Sequence, residues 1–215
     1  MKKIGILGSG IVAQTLGSGF VKHGYEVMLG TRYPDKLKAW QSEHKASIGS
    51  TAKAAEFGEL LVLAVKGRYA KVVLDQVPAS QIKGKTIIDV CNPVSDREPE
   101  DGVLSFYTGC YASLMEELQM EFPGAHFVKA FNSVGHANMV NPEFKEGKPS
   151  MFICGNTMKA KKEVASIVKK FGWEPEDMGG LMAATYIEQL SILWCIPGFL
   201  RNEWGHAFKL LKPSK

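Results

Sequence analysis

The chain has 215 residues, 45% of them hydrophobic and 22% charged, which suits one domain, or one domain with a small appendage, around a sizeable core and excludes disordered and fibrous classes. The net charge of +4 arises from 26 basic and 22 acidic residues. No basic block extends beyond pairs such as Lys161-Lys162 and Lys169-Lys170, so no nucleic-acid partner is expected.

The opening "MKKIGILGSGIVA" imitates a signal peptide, yet Gly5, Gly8 and Gly10 interrupt its apolar run and no cleavage site follows. Apolar windows stay far below the ~20 residues that span a bilayer. Cys91, Cys110, Cys154 and Cys195 lack C-x-x-C spacing, and the five histidines lack ligand spacing. A soluble, cytoplasmic protein with reduced thiols, no membrane partner and no metal is the expectation.

Along the chain, short apolar runs at "KIGILG", "EVMLG", "LLVLAV", "TIIDV", "AHFVKAF" and "SMFICG" predict buried strands. Between them, helical spacing covers Val12 to Lys22, Asp35 to His44, Tyr69 to Gln76, Tyr111 to Glu121 and Met158 to Phe171. Strand and helix taking turns predict an α/β fold: a Rossmann-type, doubly wound, mainly parallel sheet with a small C-terminal helical region. The domain division expected is 1–179 for nucleotide binding and 180–215 for that region, its helix broken near Pro197-Gly198.

"ILGSGIVA" places Gly8-x-Gly10-x-x-Ala13 after a strand and at the start of a helix, the setting of a dinucleotide fingerprint. Gly8 permits the tight turn, Gly10 admits a pyrophosphate to the backbone, and Ala13 lets helix and strand pack. Free N–H groups and the positive end of the helix dipole then face the phosphates. About 20 residues on, where a carboxylate would hold the ribose of NAD, the second strand ends in Gly30-Thr31-Arg32 with Lys36 a turn later. Three donors in place of an acid predict binding of the 2′-phosphate of NADP.

Ligands in open α/β sheets lie beyond the carboxyl ends of the strands. Those ends here are Ala64-Val65-Lys66, Asn92-Pro93 and Asn132. Asn92 and Asn132 would either bond the nicotinamide ribose or carboxamide or serve their own turns. Met182, Tyr186, Leu193, Trp194 and Phe199 would either line a flat aromatic pocket or pack on the core or a second subunit.

The segments "GILGSGIVAQTLGSGF", "GTRYPDK", "DVCNPV", "PGAHFVKAFNSV", "FICGN" and "DMGGLMAATYIE" together resemble the NADPH-dependent oxidoreductases of the coenzyme F420-dependent NADP reductase type. They are similar also to the cytosolic oxidoreductase domain of STEAP-type transmembrane metalloreductases. The resemblance runs from Lys3 to about Pro197. It implies that Gly8, Ser9, Gly10, Ile11 and Val12 hold the pyrophosphate and that Thr31, Arg32 and Lys36 hold the 2′-phosphate. Ala64, Val65, Asn92 and Pro93 would lie near the cofactor, and the turn from Ala130 to Asn132 near the nicotinamide. It further implies hydride exchange between NADP(H) and a small-molecule acceptor, FMN, FAD or coenzyme F420, walled in part by Met182 and Ala183, in a homodimer.

Two departures stand out. The chain carries no metalloreductase membrane domain, which sets aside electron delivery to haem within it, and it reads "VKGRYAKVV" at Val65 to Val73 where those relatives favour a histidine-containing turn. Because hydride passing between two rings asks chiefly for apposition and exclusion of water, no catalytic side chain is expected. A rival enzyme class, the 6-phosphogluconate and β-hydroxyacid dehydrogenases, uses a lysine and an asparagine one turn apart on a helix. Lys129-x-x-Asn132 matches that spacing but sits at a strand end. A non-catalytic NADP sensor is the rival outside enzymes.

Overall fold

The computed structural model describes residues 1–213, so the last two residues of the 180–215 region lie outside the described residues. Strand β1 (Lys3–Leu7) leads through a glycine turn into helix α1 (Ile11–Lys22), then β2 (Glu26–Gly30), a short 3-10 turn over Pro34–Leu37 and α2 (Lys38–Glu43). Next come β3 (Ser47–Gly49), α3 (Thr51–Phe57) and β4 (Leu60–Leu63). A 3-10 turn at Gly67–Tyr69 precedes α4 (Ala70–Asp75), α5 (Ala79–Ile82) and β5 (Thr86–Asp89). The chain continues through α6 (Leu114–Glu121), β6 (His126–Lys129), β7 (Ser150–Ile153), α7 (Met158–Lys170), β8 (Glu174–Asp177) and α8 (Ala184–Arg201).

Six strands form one sheet in the order β3-β2-β1-β4-β5-β6, and every pairing is parallel. The order reverses between β1 and β4, which opens a crevice at their carboxyl ends. Alternate residues of the central strands feed two cores. Ile4, Ile6, Val62, Ile88 and Val128 pack under Leu16 and Phe20 of α1 and Val164 and Ile167 of α7. On the other face Leu7, Leu61, Leu63, Ile87 and Phe127 meet Ala54 of α3, Leu74 of α4, Leu118 of α6 and Ile187 of α8. Residues on both faces of β1, β4, β5 and β6 are thus buried, as a doubly wound sheet requires.

The "SMFICG" strand does not join the six. It becomes β7 of a separate two-stranded parallel sheet with β8, linked to β6 by the Lys129 N–H donating to the Cys154 carbonyl at 3.1 Å. Nor is the last helix broken at Pro197: α8 runs through it to Arg201 and ends at Asn202, whose φ of 55° is left-handed. Proline removes the bond to the carbonyl four residues back. That carbonyl belongs to Leu193, on the exposed side of α8, where it is least costly to leave. Beyond α8 the tail folds back: Trp204 packs on Gly198, and the Ser150 N–H donates to the Phe208 carbonyl at 2.9 Å.

Candidate functional site

The glycine turn is shaped for a ligand that approaches main chain. Gly8 has φ +147°, and a Cβ there would lie 2.2 Å from the Ala64 carbonyl oxygen, so only glycine fits between β1 and β4. A Cβ on Gly10 would instead stand in open space, with no atom beyond its chain neighbours within 4 Å. Helix α1 starts at Ile11 without a side-chain cap or an acidic residue in its first turn. Its leading N–H groups and dipole end are therefore free for an anion. Ala13, fully buried, seats the helix on the sheet.

A cavity of about 660 Å³ opens from this turn. It is lined by Gly8, Ser9, Gly10, Ile11 and Val12, by Thr31, Arg32 and Lys36, and by Ala64, Val65 and Lys66. The structure thus gathers the glycine loop, the tip of β2 and the end of β4 around one space. The Thr31 hydroxyl is already engaged: it donates to Ser9 Oγ at 3.1 Å and accepts from the Tyr33 N–H at 3.0 Å. Arg32 and Lys36 are exposed, and neither forms an ion pair among the described residues; the nearby Asp35 pairs with Lys38 at 2.7 Å. Gly30, Tyr33, Thr51, Tyr69, Val73, Gln76 and Val90 complete the lining. Sequence reading assigns no site role to Tyr33, Thr51, Tyr69, Val73, Gln76 or Val90, because they come from separate loops, strands and helices that meet only in the folded chain.

Asn92, Pro93, Ala130 and Asn132 do not line this cavity. Pro93 and Ala130 are buried. The two asparagines bond each other across the ends of β5 and β6: Asn92 Nδ2 donates to the Asn132 carbonyl at 2.7 Å, and Asn132 Nδ2 to Asn92 Oδ1 at 3.0 Å. Asn132 Nδ2 also donates to the Ile187 carbonyl of α8 at 2.8 Å.

Behind them lies a constellation invisible to local reading. Lys129 is wholly buried, its Nζ 2.6 Å from Asp89 Oδ2, 2.7 Å from Glu188 Oε1 and 2.9 Å from the Cys91 carbonyl. Glu188 also accepts from the Leu114 and Met115 N–H groups at the start of α6, at 2.9 and 3.1 Å. Burial alone would lower the Lys129 ammonium, but the charges of Asp89 and Glu188 outweigh it and hold it above its ordinary value. Burial lifts Glu188 above the usual carboxyl range, and Lys129 pulls it part of the way back. A lysine held charged between two carboxylates is no general base, and the Asn132 amide nitrogen is committed to Asn92 and α8, while its buried Oδ1 has no partner among the described residues. The acid–base pair of the 6-phosphogluconate type has no counterpart in this arrangement.

The remaining predicted positions lie in later chain. After β5 a hairpin-like excursion is pinned by a Val94–Phe106 bridge and by the Ser95 N–H donating to the Ser105 carbonyl at 2.8 Å. An Arg68–Asp96 ion pair ties it to the turn after Lys66. The Leu181 N–H donates to Asn156 Oδ1 at 2.9 Å, fixing the turn that presents Met182, 80% exposed, and Ala183. Neither borders the cavity.

The model of the family "NADP oxidoreductase coenzyme F420-dependent" matches residues 3–93, a span that contains every residue lining the cavity. A solved structure from Arthrobacter sp. FB24, a candidate F420-dependent NADP reductase, superimposes with a TM-score of 0.90 at 30% identity, over 99% of this chain and 100% of that one. The chain belongs to the coenzyme F420-dependent NADP oxidoreductase family. Within reach of this family, the metalloreductase STEAP3 of Rattus norvegicus is 30% identical over 203 residues, 92% of this chain and 39% of that protein. Metalloreductase STEAP2 of Mus musculus is 26% identical over 88% of this chain and 36% of that protein. The chain therefore spans less than two fifths of the curated relatives it matches. An imine reductase from Aspergillus terreus shares the fold, with a TM-score of 0.67 at 16% identity over 94% of this chain and 63% of that one. No described helix is long and apolar enough to cross a membrane.

Proposed function

We propose that the cavity binds NADP(H) and that the protein passes a hydride between it and a flavin or deazaflavin such as coenzyme F420. The observation that carries the cofactor half is the unpaired state of Arg32 and Lys36 at the cavity wall, where an NAD-binding chain would hold a carboxylate. The Gly8-to-Val12 turn offers free N–H groups to the pyrophosphate, and the open space at Gly10 admits it. When bound, the nicotinamide supplies or takes the hydride. The chain's own part is to bind, to orient and to exclude water; the proposal gives Val65 and Lys66 of the cavity wall and the Asn92–Asn132 pair beyond it to the cofactor, and Met182 and Ala183 to the acceptor.

A homodimer through the exposed side of α8 belongs to the same proposal. Tyr186, Leu193 and Leu200 stand open there, seven residues apart and so on one face. A cytoplasmic setting, which keeps the four free thiols reduced, belongs to it too. Family membership supports the redox reading as a whole.

The test is a panel of acceptors, FMN, FAD and coenzyme F420, mixed with the protein under excess NADPH and followed by loss of nicotinamide absorbance. Turnover with one of them and tighter binding of NADPH than NADH is the expected result. Binding without consumption against every acceptor would replace the reductase with an NADP sensor.

A further inference from the structure

Resting on the NADP(H) proposal above, we infer that Tyr33 is a specificity-determining residue. Its ring holds Arg32 and Lys36 beside the 2′-phosphate position without neutralising them. Arg32 Cζ lies 5.6 Å from the ring centroid and Lys36 Nζ 5.0 Å from it, both within the range of a cation–π contact. The ring itself lines the cavity and is 57% exposed.

Two cations placed a few residues apart repel each other and, on flexible stems, disperse into solvent. A carboxylate would hold them, but it would cancel their charge and repel the phosphate they are meant to meet. An aromatic face attracts both through its quadrupole and carries no net charge. Asp35, which lies between them in sequence, is drawn off to Lys38. The backbone fixes the platform: the Tyr33 N–H donates to Thr31 Oγ1, the Lys36 N–H donates to the Tyr33 carbonyl at 3.2 Å, and Pro34 starts the 3-10 turn. Tyr33 thus lowers the ordering cost of the clamp before any ligand arrives.

The experiment measures dissociation constants of NADPH and NADH by nucleotide fluorescence for the full chain and for Tyr33→Ala and Tyr33→Phe. Two contacts of this strength at an exposed site are worth about a five- to thirtyfold change. Tyr33→Ala is expected to lower the NADPH-over-NADH preference by that factor, chiefly through weaker NADPH binding. Tyr33→Phe is expected to keep the preference, since the ring and not the hydroxyl faces the cations. An unchanged ratio in Tyr33→Ala would overturn the inference. So would equal weakening of both nucleotides, which would assign the ring to the adenine instead. A parent protein that binds both nucleotides alike would sink the NADP proposal itself, an outcome distinct from the other two.

Discussion

The Lys129 ammonium lies 2.7 Å from the Glu188 carboxylate with neither side chain exposed, so a charge contact joins the last residue of β6 to the second turn of α8. Asp89, paired with Lys129 in sheet register, closes the group, and the Glu188 carboxylate caps α6 as well. Three elements therefore meet at one cation, and α6 joins them through Glu188.

Removing that cation leaves two carboxylates facing each other without water. Lys129→Met is expected to cost about 3–5 kcal/mol, the range for breaking a buried pair by deleting one partner. For a chain of this size the melting temperature would fall on the order of 10 °C. Glu188→Gln, which leaves the Lys129–Asp89 pair intact, should cost less. Thermal and urea melts of both variants check the order.

The two glycines of the turn should separate stability from binding. Gly8→Ala forces a Cβ against the Ala64 carbonyl at a positive φ and is expected to destabilise by more than about 2 kcal/mol. Gly10→Ala meets no protein atom, so stability should stay within about 0.5 kcal/mol. Its methyl group projects to where a pyrophosphate would approach, and NADPH affinity should drop about tenfold or more. Melting curves and nucleotide titrations on the same samples distinguish the two.

Arg32→Ala should weaken NADPH far more than NADH. A charge-assisted contact to phosphate is worth about 1.5–3 kcal/mol, or about tenfold or more in the dissociation constant. Equal losses for both nucleotides would remove the 2′-phosphate assignment.

Alkaline pH should destabilise the fold earlier than surface titration predicts. Burial pushes the Cys154 thiol from its ordinary value of 9.0 up to about 12, and Lys129 is likewise raised. A raised group stays protonated in the folded chain while the unfolded chain loses its proton, so stability is full below the unfolded value and falls as pH rises. The loss should begin near pH 9 and continue toward pH 12. Melting temperatures across that range check it. Native alkylation gives a second readout: Cys110 is exposed whereas Cys91 and Cys154 are buried, so Cys110 should react first and those two only on unfolding.

Much of the scaffold was legible because its signals are local. The apolar runs at β1, β4 and β5, the glycine turn and the acid-free tip of β2 each declare themselves within a few residues. What stayed hidden depends on distant partners. Strand β8 reads Glu-Pro-Glu-Asp and carries no apolar signal; it is a strand because it pairs with β7 and because Lys209 and Lys212 of the tail meet Glu174 and Glu176 at 2.5 and 2.6 Å. Strand β3 is three residues long, too short for a period to show. Pro197 reads as a break, yet packing on both sides carries α8 through it. Asn92 and Asn132 point to a ligand by type and position, but their mutual hydrogen bonds emerge only when β5 and β6 lie side by side. The Lys129–Glu188 pair spans residues no spacing rule connects.

The cavity draws all its lining from the stretch Gly8 to Val90, whereas the turn of Met182 and the closing contact of Glu188 come from the far end of the chain. Read in the order of synthesis, the ribosome delivers every residue that lines the cavity while more than half of these 215 residues are still unmade. The turn proposed to face the acceptor follows much later, with the α8 that docks on Lys129. On the proposed reading, a nascent chain would accordingly hold every residue of the cofactor cavity before the Met182 turn exists to shield it from water.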